Sequence, residues 1–274
     1  MELNSVSGAT PRGHRLSRVL TALGALVVLG LFLFPPLAPL DKANLVGYAI
    51  CHQIPDRSFH LNGHQLPLCA RCTGTYLGAA VGFAAIALLG RWRGGEMLQT
   101  WMLVLMAGFI ALMGLDGLNS YLDLVMGRPL LYEPHNWLRA ATGSLNGIAL
   151  SMIVMPILNV TLWKQPAPTR PLRNGWELLG VVAAAAALVA LVQAEPAWLL
   201  YPVGLITTAG VLWMLTAVNT MILLIVFRQD GQAGTWQQVT PAFLGGLVAA
   251  TIELAVMGTA RYLLTGTLSW PVPL

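Results

Sequence analysis

The sequence predicts an all-α, polytopic membrane protein of about seven helices, with a cysteine- and histidine-bearing outer loop between the first two. Three observations carry that prediction. Only 9% of the 274 residues are charged and 56% are hydrophobic, with a mean hydropathy of +0.69. A soluble domain carries roughly 25% charged residues, so this chain lacks the polar surface to face water on all sides. The apolar residues also fall into seven runs of nearly bilayer-spanning length, where roughly 20 residues are needed to cross about 30 Å of hydrocarbon. Finally, polar residues are concentrated in short connections and on single faces of the runs.

The runs cover 17–37, 69–89, 100–122, 137–158, 176–193, 199–227 and 241–264. Backbone groups inside a bilayer must be satisfied within the segment, so these runs are expected as helices. The first follows a basic stretch and lacks a small-x-small cleavage site in "PPLAPLDKAN", which reads as an uncleaved signal anchor. The expected organisation is a cytoplasmic tail over 1–16, one helical domain over 17–264 and a short C-terminal tail over 265–274.

Nine of the fifteen Lys and Arg residues fall on the N-terminal side of the bilayer in this arrangement, among them Arg12, Arg15, Arg18, Arg91, Arg93 and Lys164. Lys42, Arg57, Arg71, Arg128, Arg139 and Arg261 fall on the other. The excess predicts a cytoplasmic N-terminus and an outer C-terminus in a plasma membrane, the inner membrane of a bacterium. The net charge of +4 is this loop bias and predicts no nucleic-acid partner. The bilayer is the expected partner, with room for a second membrane protein. Phosphate-binding glycine loops, a dinucleotide fingerprint and an HExxH zinc-protease helix are all absent from the sequence.

All three cysteines and three of the five histidines lie between Cys51 and Cys72, and the loop over 41–68 is expected outside. Cys69 and Cys72 form a CxxC pair where the second helix begins. Free N–H groups at a helix start, with Arg71 beside them, favour thiolate. Thiolate and imidazole at this spacing suit zinc. Cys51, Cys69 and Cys72 are therefore candidate ligands, with His60 or His64, flanking an Asn-Gly turn, as a fourth. Two other readings compete. One is a disulfide between two of the three cysteines. The other is outward-facing thiol oxidoreductase chemistry at Cys69 and Cys72, which such enzymes usually run with two cysteine pairs.

Three helices each carry a polar face at their outer ends: Arg71, Gly74, Thr75 and Gly78; Asp116, Asn119, Ser120 and Asp123; Arg139, Thr142, Gly143 and Asn146. The i, i+3, i+4, i+7 spacing places each set on one side of its helix. Lipid repels ionisable groups, so the faces are expected to turn toward one another around a polar pocket, with Asp116 paired to Arg71 or Arg139. Glu253, near mid-membrane in the last helix, is expected to join the pocket or to pair with Arg261 or Arg139. A transporter using Asp116, Arg139 and Glu253 is the third functional reading. Gly74, Gly78 and Gly82 make a small-xxx-small stripe that allows close helix approach.

The strings "CHQIPDRSF", "LPLCARCTGTYLG", "LDGLNSYL" and "NWLRAATGSLNGI" resemble the predicted membrane-protein family catalogued as domain of unknown function two thousand and eighty-five. The likeness spans 51–147, about a third of the chain. It implies Cys51, His52, Cys69 and Cys72 as the functional quartet, which makes His52 a metal candidate beside His60 and His64. It also singles out Gln53, Arg57, Ser58, Tyr76, Gly117, Asn136 and Arg139. The resemblance names no reaction. Together these readings predict a zinc site of structural role over a polar intramembrane pocket.

Overall fold

A computed structural model describes residues 36–268 and, before them, positions 22, 24–26, 29, 30 and 33. The expected tail over 1–16 lies outside the described residues, as do most of the span over 17–37 and positions 269–274. The described positions before residue 36 are helical, and seven further α-helices follow them: α1 (Pro39–Ile50), α2 (Ala70–Leu88), α3 (Thr100–Met126), α4 (Asn136–Leu162), α5 (Gly175–Gln193), α6 (Leu200–Val226) and α7 (Trp236–Thr265). A two-stranded hairpin, β1 (His60–Leu61) and β2 (His64–Gln65), interrupts the α1–α2 connection. The fold is a polytopic helical bundle, and six of its helices, α2 to α7, are long and apolar enough to cross a bilayer. They coincide with the last six expected runs.

The centre of the bundle is α4, which packs against α2, α3, α5 and α6 and is two-thirds buried. Its tightest neighbour is α2, for a reason visible in the glycines. A Cβ at Gly74 would strike the carbonyl of Ala140, and one at Gly78 the carbonyl of Ser144. In return, a Cβ at Gly143 would strike the Arg71 carbonyl, and one at Gly147 that of Thr75. The expected stripe on α2 therefore meets a second stripe on α4, and the two backbones touch. Below this mesh, Ile86, Met102, Met106, Ile148, Met152 and Leu162 fill one continuous core. By contrast α3 packs against α4 at one edge and leaves Val104, Leu112, Leu115 and Leu118 exposed, as a lipid-facing helix should.

One element departs from the expected outer loop over 41–68: its first part is helical. Pro39 opens α1 at a position where its missing N–H costs nothing. The face bearing Ala43, Gly47 and Tyr48 is buried, and α1 packs against α6 and α7. Twelve residues make a marginal helix alone, so tertiary packing stabilises it.

Candidate metal centre

Cys51 caps the C-terminal end of α1 in an extended conformation, its N–H donating to the Gly47 carbonyl at 2.8 Å. Cys69 is the N-cap residue of α2 and Cys72 lies in its first turn. The end of one helix thus delivers a sulfur to the start of another. The three Sγ atoms lie within 4.8 Å of one another, and all three thiols are free. The Cys69 N–H, one of the donors a helix start leaves unpaired, donates to Cys51 Sγ at 3.2 Å. Hydrogen bonds from Cys69 and Cys72 hold the Cys51 thiol well below its ordinary pKa, and the Cys69 thiol is pushed up because its proton serves Cys51. Cys51 and Cys69 are buried and Cys72 is half-buried.

The loop is fixed on all sides. Gln53 sits at φ +53°, a conformation costly for a residue with a side chain. Its amide donates to the carbonyls of Asn44 (3.1 Å) and Pro67 (2.8 Å), tying the two ends of the α1–α2 connection together. Gln65 Nε2 donates to the Gln53 carbonyl at 2.8 Å. The hairpin turns at Asn62 and Gly63, both with positive φ, as an Asn-Gly turn demands. It drives Phe59, Leu61 and Leu66 into an apolar cluster with Leu77, Val189 and Leu200. From the far end of the sequence, Arg261 donates to the carbonyls of Tyr48 (2.7 Å), Cys51 and His52 (3.1 Å) and stacks on the Tyr48 ring.

The histidines stand apart from the sulfurs. His52 Nδ1 accepts the Ile54 N–H at 3.1 Å, which assigns the ring proton of the neutral form to Nε2. Burial holds the ring below its ordinary pKa, with the Cys51 charge opposing the shift. His60 pairs across the hairpin with Gln65, and His64 with Leu61. No histidine or carboxylate joins the sulfur cluster among the described residues.

Beside the sulfurs the three polar faces do converge. Arg71 grips Asp116 Oδ2 through Nη2 (2.6 Å) and Nε (2.9 Å), a pair in which Asp116 is wholly buried. Arg139, the other expected partner, donates instead to Ser120 Oγ (3.3 Å) and to Asn136 Oδ1 (2.8 Å). Ser120 Oγ also accepts from Arg71 at 2.9 Å, and the Ser120 carbonyl accepts from Arg57 at 2.8 Å. Three guanidinium groups therefore meet on one serine, balanced by Asp116 and by Asp123, which pairs with Arg57 at 3.4 Å. Asn136 Nδ2 donates to the Asp56 carbonyl and so links α4 to the cysteine loop. Asn119 accepts the N–H groups of Leu130 and Leu131, shaping the α3–α4 connection.

That connection supplies a residue the spacing does not single out. Tyr132 O–H donates to Asp116 Oδ1 at 2.9 Å, and burial followed by the Asp116 bond pushes its pKa to about 12. Glu253 and Arg261 do not meet. Glu253 is exposed on α7 and accepts from Asn219 of α6 at 2.9 Å, whereas Arg261 serves the carbonyls around Cys51. Glu253 also makes no ion pair with Arg139 among the described residues.

A family profile described as "Predicted membrane protein (DUF2085)" matches residues 51–153, the stretch from Cys51 through most of α4. An uncharacterized protein of Methanocaldococcus jannaschii is 32% identical over 118 residues, which cover 42% of this chain and 68% of that one. An uncharacterized protein of Methanothermobacter thermautotrophicus is 38% identical over 84 residues, covering 29% and 76% respectively. No solved structure matches the chain. The stretch matched by the profile holds all three sulfurs and the arginine–aspartate network. The chain belongs to the predicted membrane-protein family DUF2085.

Proposed function

We propose that this integral membrane protein binds one zinc ion through Cys51, Cys69 and Cys72, and that the ion fastens the α1–α2 connection over the polar heads of α2, α3 and α4. The observation that carries the proposal is the meeting of three free sulfurs from two helix ends within 4.8 Å. Thiolate sulfur binds zinc at about 2.3 Å, and neighbouring ligands in a tetrahedral site lie within that span. His52 completes the motif implied by the family likeness, but its Nδ1 bond to Ile54 favours a supporting place beside the site over a fourth ligand. The arginine count favours a site on the outer face of a plasma membrane with the N-terminus inside.

Metal analysis of purified protein tests the proposal, with thiols counted before and after denaturation. About one zinc per chain, with three thiols masked until unfolding, is the expected result. A metal-free protein carrying a Cys69–Cys72 disulfide that a quinone regenerates would replace it with thiol–disulfide chemistry. The transport reading has weaker support, because Glu253 takes no part in the network of Asp116 and Arg139.

A further inference from the structure

At the opposite ends of α2, α4 and α6 from the sulfurs, three connections border an open cavity of about 500 Å³ lined by Arg93, Lys164, Gln165, Ala167, Ala233 and Gly234. Its walls are braced by backbone. Ala167 N–H donates to the Arg93 carbonyl, Gly95 N–H to the Ala167 carbonyl, and Lys164 N–H to the Ala233 carbonyl, each within 3.0 Å. Buried Asn159 of α4 holds the arrangement from below. Its amide donates to the carbonyls of Trp92 and Gly94, and its oxygen accepts the Trp163 indole N–H.

The cup is cationic by subtraction. In the same connections Arg91 is neutralised by Glu177 and Arg170 by Glu96. Arg93 and Lys164 are exposed and have no acidic partner among the described residues, and Asp230 of the third connection does not line the cavity. Arg93 lies 3.9 Å over the Trp163 ring, which meets Trp236 edge-on. Indoles gather where bilayer meets water, and the ends of spanning helices lie at the same depth. The phosphate groups of lipid headgroups lie at that level too.

We infer that this cup binds the anionic phosphate headgroup of a membrane lipid, with Arg93 and Lys164 as its cationic contacts. The inference is independent of the metal centre at the other face. Its test is native mass spectrometry of the full-length protein exchanged from detergent into mixtures of phosphatidylglycerol and phosphatidylcholine. The expected result is retained phosphatidylglycerol in preference to phosphatidylcholine, weakened about fivefold by Lys164→Gln and again by adding Arg93→Gln. Arg93→Lys, which keeps the charge, should retain most of the preference and controls for damage to the Trp163 stack. Lys164 is exposed, so its variant reports on binding with the fold intact. Equal retention of the two lipids, or a preference that Lys164→Gln leaves unchanged, overturns the inference. Displacement of the lipid by millimolar inorganic phosphate also overturns it and assigns the cup to a soluble phosphate.

Discussion

Asp116 is the residue on which the polar head depends. Each carboxylate oxygen has its own partner, Tyr132 on one and Arg71 on the other, inside the bundle. Removing its charge leaves Arg71 partly buried beside a neutral amide. Asp116→Asn should cost about 3 kcal/mol, read as a lower melting temperature in detergent. Arg261 presents a different dependence. Its planar fork reaches three carbonyls at once, which a lysine ammonium cannot do from one stem. In Arg261→Lys the Cys51 end of the loop should loosen, and metal-free protein should react faster with maleimide at Cys51 than wild type while the rate at the other two thiols changes less. An equal rise at all three would place the effect in global unfolding instead.

Among the elements, α2 and α4 make the sharpest prediction. Gly78→Ala and Gly147→Ala each put a methyl into a carbonyl of the facing helix, an overpacking cost of about 1–3 kcal/mol. Gly108→Ala on α3 meets nothing within 4 Å and should leave thermal stability in detergent unchanged or raised. The α2 stripe was legible in the sequence because small residues recur every four positions, and so were the six spanning runs, each almost free of charge over nearly the length a bilayer demands. Helix α1 was not. Its twelve residues fall short of a membrane span, and what stabilises it is the fit of Gly47 and Tyr48 against distant chain, which no local window contains. The same reason separates the sites. Cys51, Cys69 and Cys72 announced themselves by residue type, and Arg71–Asp116 by matching polar faces. The Arg261 clamp joins positions about 210 residues apart, and its sequence neighbourhood pointed to Glu253.

At the scale of the whole molecule, sulfurs and phosphate cup occupy opposite ends of the same helices, so one fixes the orientation of the other. With the N-terminus inside, a phosphatase reporter inserted at the Asn62–Gly63 turn should be active in bacteria and one inserted at Gln165 inactive. The reverse pattern would invert the assignment without altering either site. The contact of α2 with α4 has a further consequence. Backbones touching at four glycines leave no slack for one helix to slide along the other. Any excursion between conformers must pivot α3, α5 or the α6–α7 pair about that fixed spine. Cys69, Cys72, Arg71 and Arg139 are mounted on it, and Cys51, borne by α1 and clamped by α7, is tied to it through Gln53 and the Cys69 N–H, so a pivot of α7 would pull on the sulfur cluster through the Arg261 clamp.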